Sequence, residues 1–215
     1  PRNAQLIEQL RTTTKKVVTA DFDIDRKASV GIDNEQAAYE IAKTAIKSKD
    51  DDIAILGLRL LESNVTCRVY DLPNADFQFS IAHQRLRGYN RAIEELEVNL
   101  RIDRVWNIPE SKLLTALIAV REALTSTPRP NVLLCMSDLI ALAAIKEINA
   151  MGLKIPNDIR VVGFDGIDEA LHSNPPLTTV HQNSEKKGIQ AAEFFINRST
   201  ESVLIPFHIQ HGGSV

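Results

Sequence analysis

A chain of 215 residues with 44% hydrophobic content is long enough to bury one large core or two smaller ones. Its 25 basic and 28 acidic residues leave a formal net charge of −3, and the densest basic run, Arg85, Arg87 and Arg91, is too short to follow a phosphate backbone. A free-standing nucleic-acid binder is therefore excluded, and no apolar stretch reaches the ~18 residues of a membrane span.

The first residues, Pro1-Arg2-Asn3-Ala4-Gln5-Leu6, have no basic-then-apolar signal pattern, no start methionine, and open in mid-helix chemistry. The chain is expected to begin inside a longer protein. Residues 17–20 form the first strand-like run, ended by Asp21. A helical period covers 34–47, and Asp50-Asp51-Asp52 reads as a solvated turn before a strand at 53–56. Helical periods then cover 80–96 and 111–125, with a strand at Val105–Ile108 between them. A strand at 132–136 leads into a helix over Asp138–Ala150, with Ser137-Asp138 as its N-terminal cap and Gly152 and Pro156 as its stop. Residues 161–164 form a further strand ended by Asp165. Residues 175–180 are extended because proline disfavours helix in the residue before it. A helix over Ser184–Asn197 follows, and 203–209 reads as one last strand. Continuous apolar strands alternating with helices predict an α/β fold of right-handed βαβ units with doubly wound parallel sheets. Cys67 and Cys135 lie in apolar surroundings with no partner motif and are expected to be buried free thiols.

Catalytic signatures are missing. There is no GxxxxGK[ST] phosphate loop, no GxGxxG fingerprint and no GxSxG elbow. His208 and His211 have no cysteine or carboxylate cluster near them in sequence, so no metal is expected. Neither an enzyme nor a cofactor is predicted. Polar residues at strand ends remain, where open α/β sheets bind ligands. Asp21 and Asp165 serve equally as turn formers or ligand contacts, whereas Asp138 reads as a helix cap.

Ser137-Asp138-Leu139-Ile140-Ala141-Leu142, the run from Met151 to Ile159, Val161-Val162-Gly163-Phe164-Asp165, and Pro175-Pro176-Leu177-Thr178-Thr179-Val180-His181-Gln182 resemble the lactose/galactose-repressor family of transcription regulators. Arg85-Leu86-Arg87-Gly88-Tyr89-Asn90-Arg91-Ala92 is similar to that family's R-x-x-G-[aromatic]-x-x-A segment, and Val30-Gly31-Ile32-Asp33-Asn34 to its crossover segment. The resemblance spans nearly the whole chain. It implies a periplasmic-binding-protein-like fold of two subdomains: a partial N-terminal one over 1–31 and 183–198, and a complete C-terminal one over 32–182 and 199–215. It also implies an effector, a sugar or sugar phosphate, bound in the inter-subdomain cleft. A homodimer is implied as well, built in part on 139–150 and 168–174, with operator DNA read by a headpiece these residues lack. The setting would be cytoplasmic, with no membrane partner.

Carried over residue by residue, the effector contacts are Asp21, Arg85, Asp165 and Gln182, with Ser137 and Asn107 at two further positions. Carboxylates accept pairs of hydroxyl hydrogen bonds, and arginine donates several from a rigid fork. Ser137 stands where many relatives carry asparagine, and Asn107 where they carry an aromatic. Trp106, one residue away, is either the stacking aromatic or a core residue. The alternative function is a periplasmic-type sugar-binding protein of a transporter.

Overall fold

The computed structural model describes residues 4–24, 27–70 and 80–215. The expected opening in mid-helix touches residues 1–3, which lie outside the described residues. The chain divides into two compact units, Pro1–Asp33 with Gln182–Phe207 and Asn34–His181 with His208–Val215.

The smaller unit begins with α1 (Ala4–Thr12), β1 (Val18–Ala20) and β2 (Ala28–Gly31). The larger unit runs through α2 (Asn34–Ala45), β3 (Ile53–Leu58), β4 (Cys67–Arg68), α3 (Ile81–Glu95) and β5 (Val105–Ile108). It continues with α4 (Leu113–Thr125), β6 (Val132–Cys135), α5 (Asp138–Ala150), β7 (Arg160–Asp165), α6 (Asp168–Leu171) and β8 (Thr178–His181). Chain then returns to the smaller unit for α7 (Ser184–Asn197) and β9 (Ser202–Leu204), and to the larger for β10 (His208–Gln210).

In the larger unit the strand order is β10-β8-β7-β6-β3-β5-β4. The interior strands are parallel, and the two edge strands, β10 and β4, run antiparallel to their neighbours. Antiparallel edges on a parallel sheet are common, because an edge strand needs no crossover helix. Successive strand residues point to opposite faces. Ala54, Leu56, Leu133, Cys135 and Val161 pack with α4 and α5 through the small residues Ala116, Ala119, Ala123, Ala141 and Ala144. The alternating Ile53, Ile55, Leu134, Val162 and Phe164 are buried on the other face, the side on which α3 lays Arg85 over the Phe164 ring. The smaller unit has a three-stranded parallel sheet, β1-β2-β9.

Four expectations change. Residues 203–209 are not one strand. Proline 206 removes a ladder donor, and the segment splits into β9 of the smaller sheet and β10 of the larger. Residues 199–207 therefore belong to the smaller unit and not, as expected, to the larger. The Asp50–Asp52 run is not a solvated turn. Asp50 is exposed, but Asp51 is buried and pairs with Arg160 at 2.6 Å, while Asp52 pairs with the fully buried Arg104 at 2.9 Å. Two guanidiniums drawn into the base of the sheet require those carboxylates. Cys135 is a buried free thiol as expected, whereas Cys67 is only half-buried, because it lies on the two-residue edge strand β4.

Candidate functional site

Crossovers to either side of β3 make the sheet of the larger unit wind in two directions, with β6 on one flank and β5 on the other. Ligands in such sheets sit beyond the carboxyl ends of the strands near this reversal. Met136 and Ser137 follow β6, Asp165 ends β7, and Arg85 reaches this edge from the second turn of α3.

Arg85 is buried, at 7% exposure, and is gripped from two sides. Its Nε donates to Asn34 Oδ1 at 3.0 Å, and its Nη1 donates to the Met136 carbonyl at 2.6 Å. The guanidinium carbon lies 3.6 Å from the Phe164 ring centroid, a cation–π contact. Its ion pair with Asp165 is looser, at 3.7 Å, and the Asp165 side chain keeps 35% of its exposure. An arginine fixed by fork and ring, facing a half-exposed carboxylate, offers hydroxyl-rich ligands both donors and acceptors.

The helix–helix contact that delivers Arg85 depends on Gly88. A Cβ there would stand 2.2 Å from the Glu35 carbonyl oxygen, so only glycine lets α3 approach α2 so closely. Tyr89, next in the motif, is fully buried, and its hydroxyl donates to the Cys135 carbonyl at 3.2 Å. The spacing of the R-x-x-G-[aromatic] segment thus has a packing cause.

Asp165 is held in an unusual backbone state, with φ of 136°. Side chains rarely adopt this region, and the strain costs about 1–3 kcal/mol. Asp138 stabilises the turn: its Oδ2 accepts from the Gly166 and Ile167 amides at 2.7 and 2.9 Å, and its Oδ1 from the Thr179 hydroxyl at 2.5 Å. Burial pushes the Asp138 carboxyl above its ordinary value, and the Thr179, Ile167 and Gly166 hydrogen bonds oppose the rise without cancelling it. Asp138 is not the cap of α5. Ser137 has that role, with its Oγ accepting from the Ile140 amide at 3.3 Å. Sequence reasoning missed Asp138 as a positioning residue because its partners lie 28 to 41 residues away.

Ser137 lies at the same edge, at 1% exposure, and its hydroxyl also meets Ser111 Oγ at 3.1 Å. Trp106 and Asn107 are not brought to this group. Trp106 is fully buried on the α4 face, opposite Arg85, and its Nε1 donates to Glu122 at 3.1 Å. Of the two readings open for Trp106, core packing describes its surroundings. Asn107 clamps the loop between β3 and β4: its Oδ1 accepts from the Leu61 amide at 3.0 Å, and its Nδ2 donates to the Val65 carbonyl at 3.2 Å.

The smaller unit has a polar cluster of its own. Asp21 sits after β1 with φ of 56°, and its Oδ2 accepts from Lys187 Nζ at 2.7 Å. The same ammonium donates to Gln182 Oε1 at 2.8 Å. Lys187 is 7% exposed and went unnoticed in the sequence, where it is one of three charged residues opening α7. Only its lack of exposure sets it apart from Glu185 and Lys186. Asp21 Oδ1 is buried with no hydrogen-bond partner among the described residues. No group of three or more metal-ligating side chains occurs among the described residues.

Residues 52–209 match the family described as Periplasmic binding protein-like domain. The chain belongs to that family. It is 29% identical over 206 residues to an HTH-type transcriptional repressor PurR of Aliivibrio fischeri (strain ATCC 700601 / ES114), an alignment covering 91% of this chain and 54% of that protein. The chain thus spans about half the length of the curated relatives it matches. Among solved structures, a LacI family transcriptional regulator from Corynebacterium glutamicum aligns with a TM-score of 0.85 at 23% identity, covering 98% of this chain and 64% of that one. A putative transcriptional regulator LacI from Bacillus cereus subsp. cytotoxis NVH 391-98 aligns with a TM-score of 0.82 at 21% identity, over 100% and 73%. Those two likenesses establish the fold. With the repressor match, they bear out the lactose/galactose-repressor resemblance read from the motifs. No described helix is long and apolar enough to cross a membrane.

Proposed function

We propose that this chain is the effector-sensing and dimerisation part of a transcriptional repressor, and that its effector is a sugar or sugar phosphate. The observation that carries the reading is Arg85. It is locked by Asn34, Met136 and Phe164 at the carboxyl edge of the sheet and loosely paired to Asp165. On this reading Asp165 and Arg85 hold the ligand hydroxyls, while Asp21 and Gln182, to which the resemblance gives a part in the same binding, are presented by Lys187. Ser137 lines the same edge as Arg85.

The ligand alters operator affinity only through a differential affinity for two states of the protein. Operator DNA is read by a headpiece outside these 215 residues, the subunits pair so that two headpieces meet two half-sites, and the protein works in the cytoplasm without catalysing a reaction. Relatives described as repressors favour this over a transporter's binding protein. Screening sugars, sugar phosphates and purines by thermal shift on the full chain tests it. A ligand at 100 times its Kd adds about 2.7 kcal/mol. Arg85→Ala and Asp165→Ala should each abolish that shift while leaving a cooperative melt. An unchanged ligand response in both variants overturns the site, and turnover of a ligand overturns the non-enzymatic reading.

A further inference from the structure

The end of the smaller unit away from Asp21 carries a second charged feature. Asp21 follows the carboxyl end of β1, whereas a cavity of about 520 Å³ opens where β1 and β2 begin and α7 ends. Lys15, Lys16, Lys27 and Arg198 line it, with Phe195 as an aromatic wall and Thr14 as a hydroxyl donor, and none of the lining residues is acidic. Among the described residues, no ion pair involves any of these four cations.

Two of the cations are held by carbonyls. Lys27 Nζ donates to the Thr13 carbonyl at 2.7 Å, and Lys16 Nζ to the Ile196 carbonyl at 3.4 Å while lying 4.6 Å from the Phe195 ring centroid. A carbonyl positions an ammonium without neutralising it. The end of α7 contributes only about half a negative charge, against four positive side chains. Arg198, left-handed at φ of 56°, ends the helix at the rim of the cavity. In a chain of net charge −3, this group, which has no ion pair among the described residues, attracts an anion from solution.

We infer that this cavity binds a small phosphate-bearing anion. Phosphate oxygens match both ammonium point charges and a guanidinium fork, and Phe195, with Lys16 over its ring, is part of the cavity wall. A nucleic-acid backbone needs a line of contacts, whereas these cations surround one cavity.

The test is calorimetric titration of the full chain with inorganic pyrophosphate, alongside anisotropy with a short labelled DNA duplex. Pyrophosphate should bind, more weakly as salt is added. Lys16→Gln with Lys27→Gln should weaken it by about tenfold or more, the loss of charge-assisted hydrogen bonds. Lys16→Arg should retain it. Should the first pair disturb the fold, Lys15→Gln with Arg198→Gln, at exposed positions, gives the same reading. Absence of pyrophosphate binding, binding unchanged in the Gln variants, or binding of the duplex alone each overturns the inference.

Discussion

Burial alone would raise the Asp51 carboxyl, but the Arg160 hydrogen bond and the Lys47 and Ser48 amides outweigh it and hold the group below its ordinary value of 3.8. A carboxyl lowered on folding contributes stability above that ordinary value, and the contribution is lost as pH falls through the lowered one. Asp51→Asn should therefore cost ~3 kcal/mol at about pH 7, since it leaves Arg160 half-paired, and much less in strong acid. Urea unfolding of parent and variant across that range measures the difference; a gap that stays constant with pH contradicts the pairing. The acidic run was visible in the sequence, but its role was not. Burial of Asp51 depends on Arg160 and Asn131, which lie 109 and 80 residues further along. Lys187 was illegible for the same reason, because its partner Asp21 is 166 residues distant. Arg85 and Asp165 were legible through motifs, and Asp138 was seen only as a capping candidate.

Among the elements, helices with marked ends were read closely. Asp138–Ala150 and Ser184–Asn197 match the expected ranges, and Ser80, expected as the first residue of a helix, is the cap of α3. The short pieces β2, β4 and α6 were not read, since a two- to four-residue element has too few positions to show a period. The segment at 203–209 failed for a different reason: Pro206 was legible, but the choice between two sheets is a tertiary matter. Gly88 gives the sharpest element-level test. Gly88→Ala would favour the helix intrinsically, by up to about 1 kcal/mol, yet drive a methyl into the Glu35 carbonyl and the Ala38 side chain. Crowding costs ~1–3 kcal/mol, so the variant should be destabilised overall and should bind effector more weakly as Arg85 shifts. An increase in melting temperature would show that the α2–α3 approach is not limiting.

For the whole molecule, the dimer reading has a surface to work with. Leu139 on α5 and Leu171 on α6 are 44% and 49% exposed, within the two segments expected to pair subunits. Sedimentation of the full chain should give a dimer, and Leu139→Glu with Leu171→Glu should shift it to monomer without loss of helicity. A monomer for the parent at high concentration contradicts pairing outright. One connectivity feature matters for how the molecule is made. Since β9 and β10 add edges to two different sheets from within residues 202–210, neither unit has its full set of strands while the chain is still emerging from the ribosome. Both sheets wait for the same late stretch. A ribosome stalled before residue 202 should display a chain open to protease in both units at once, and release of the next few residues should protect them together.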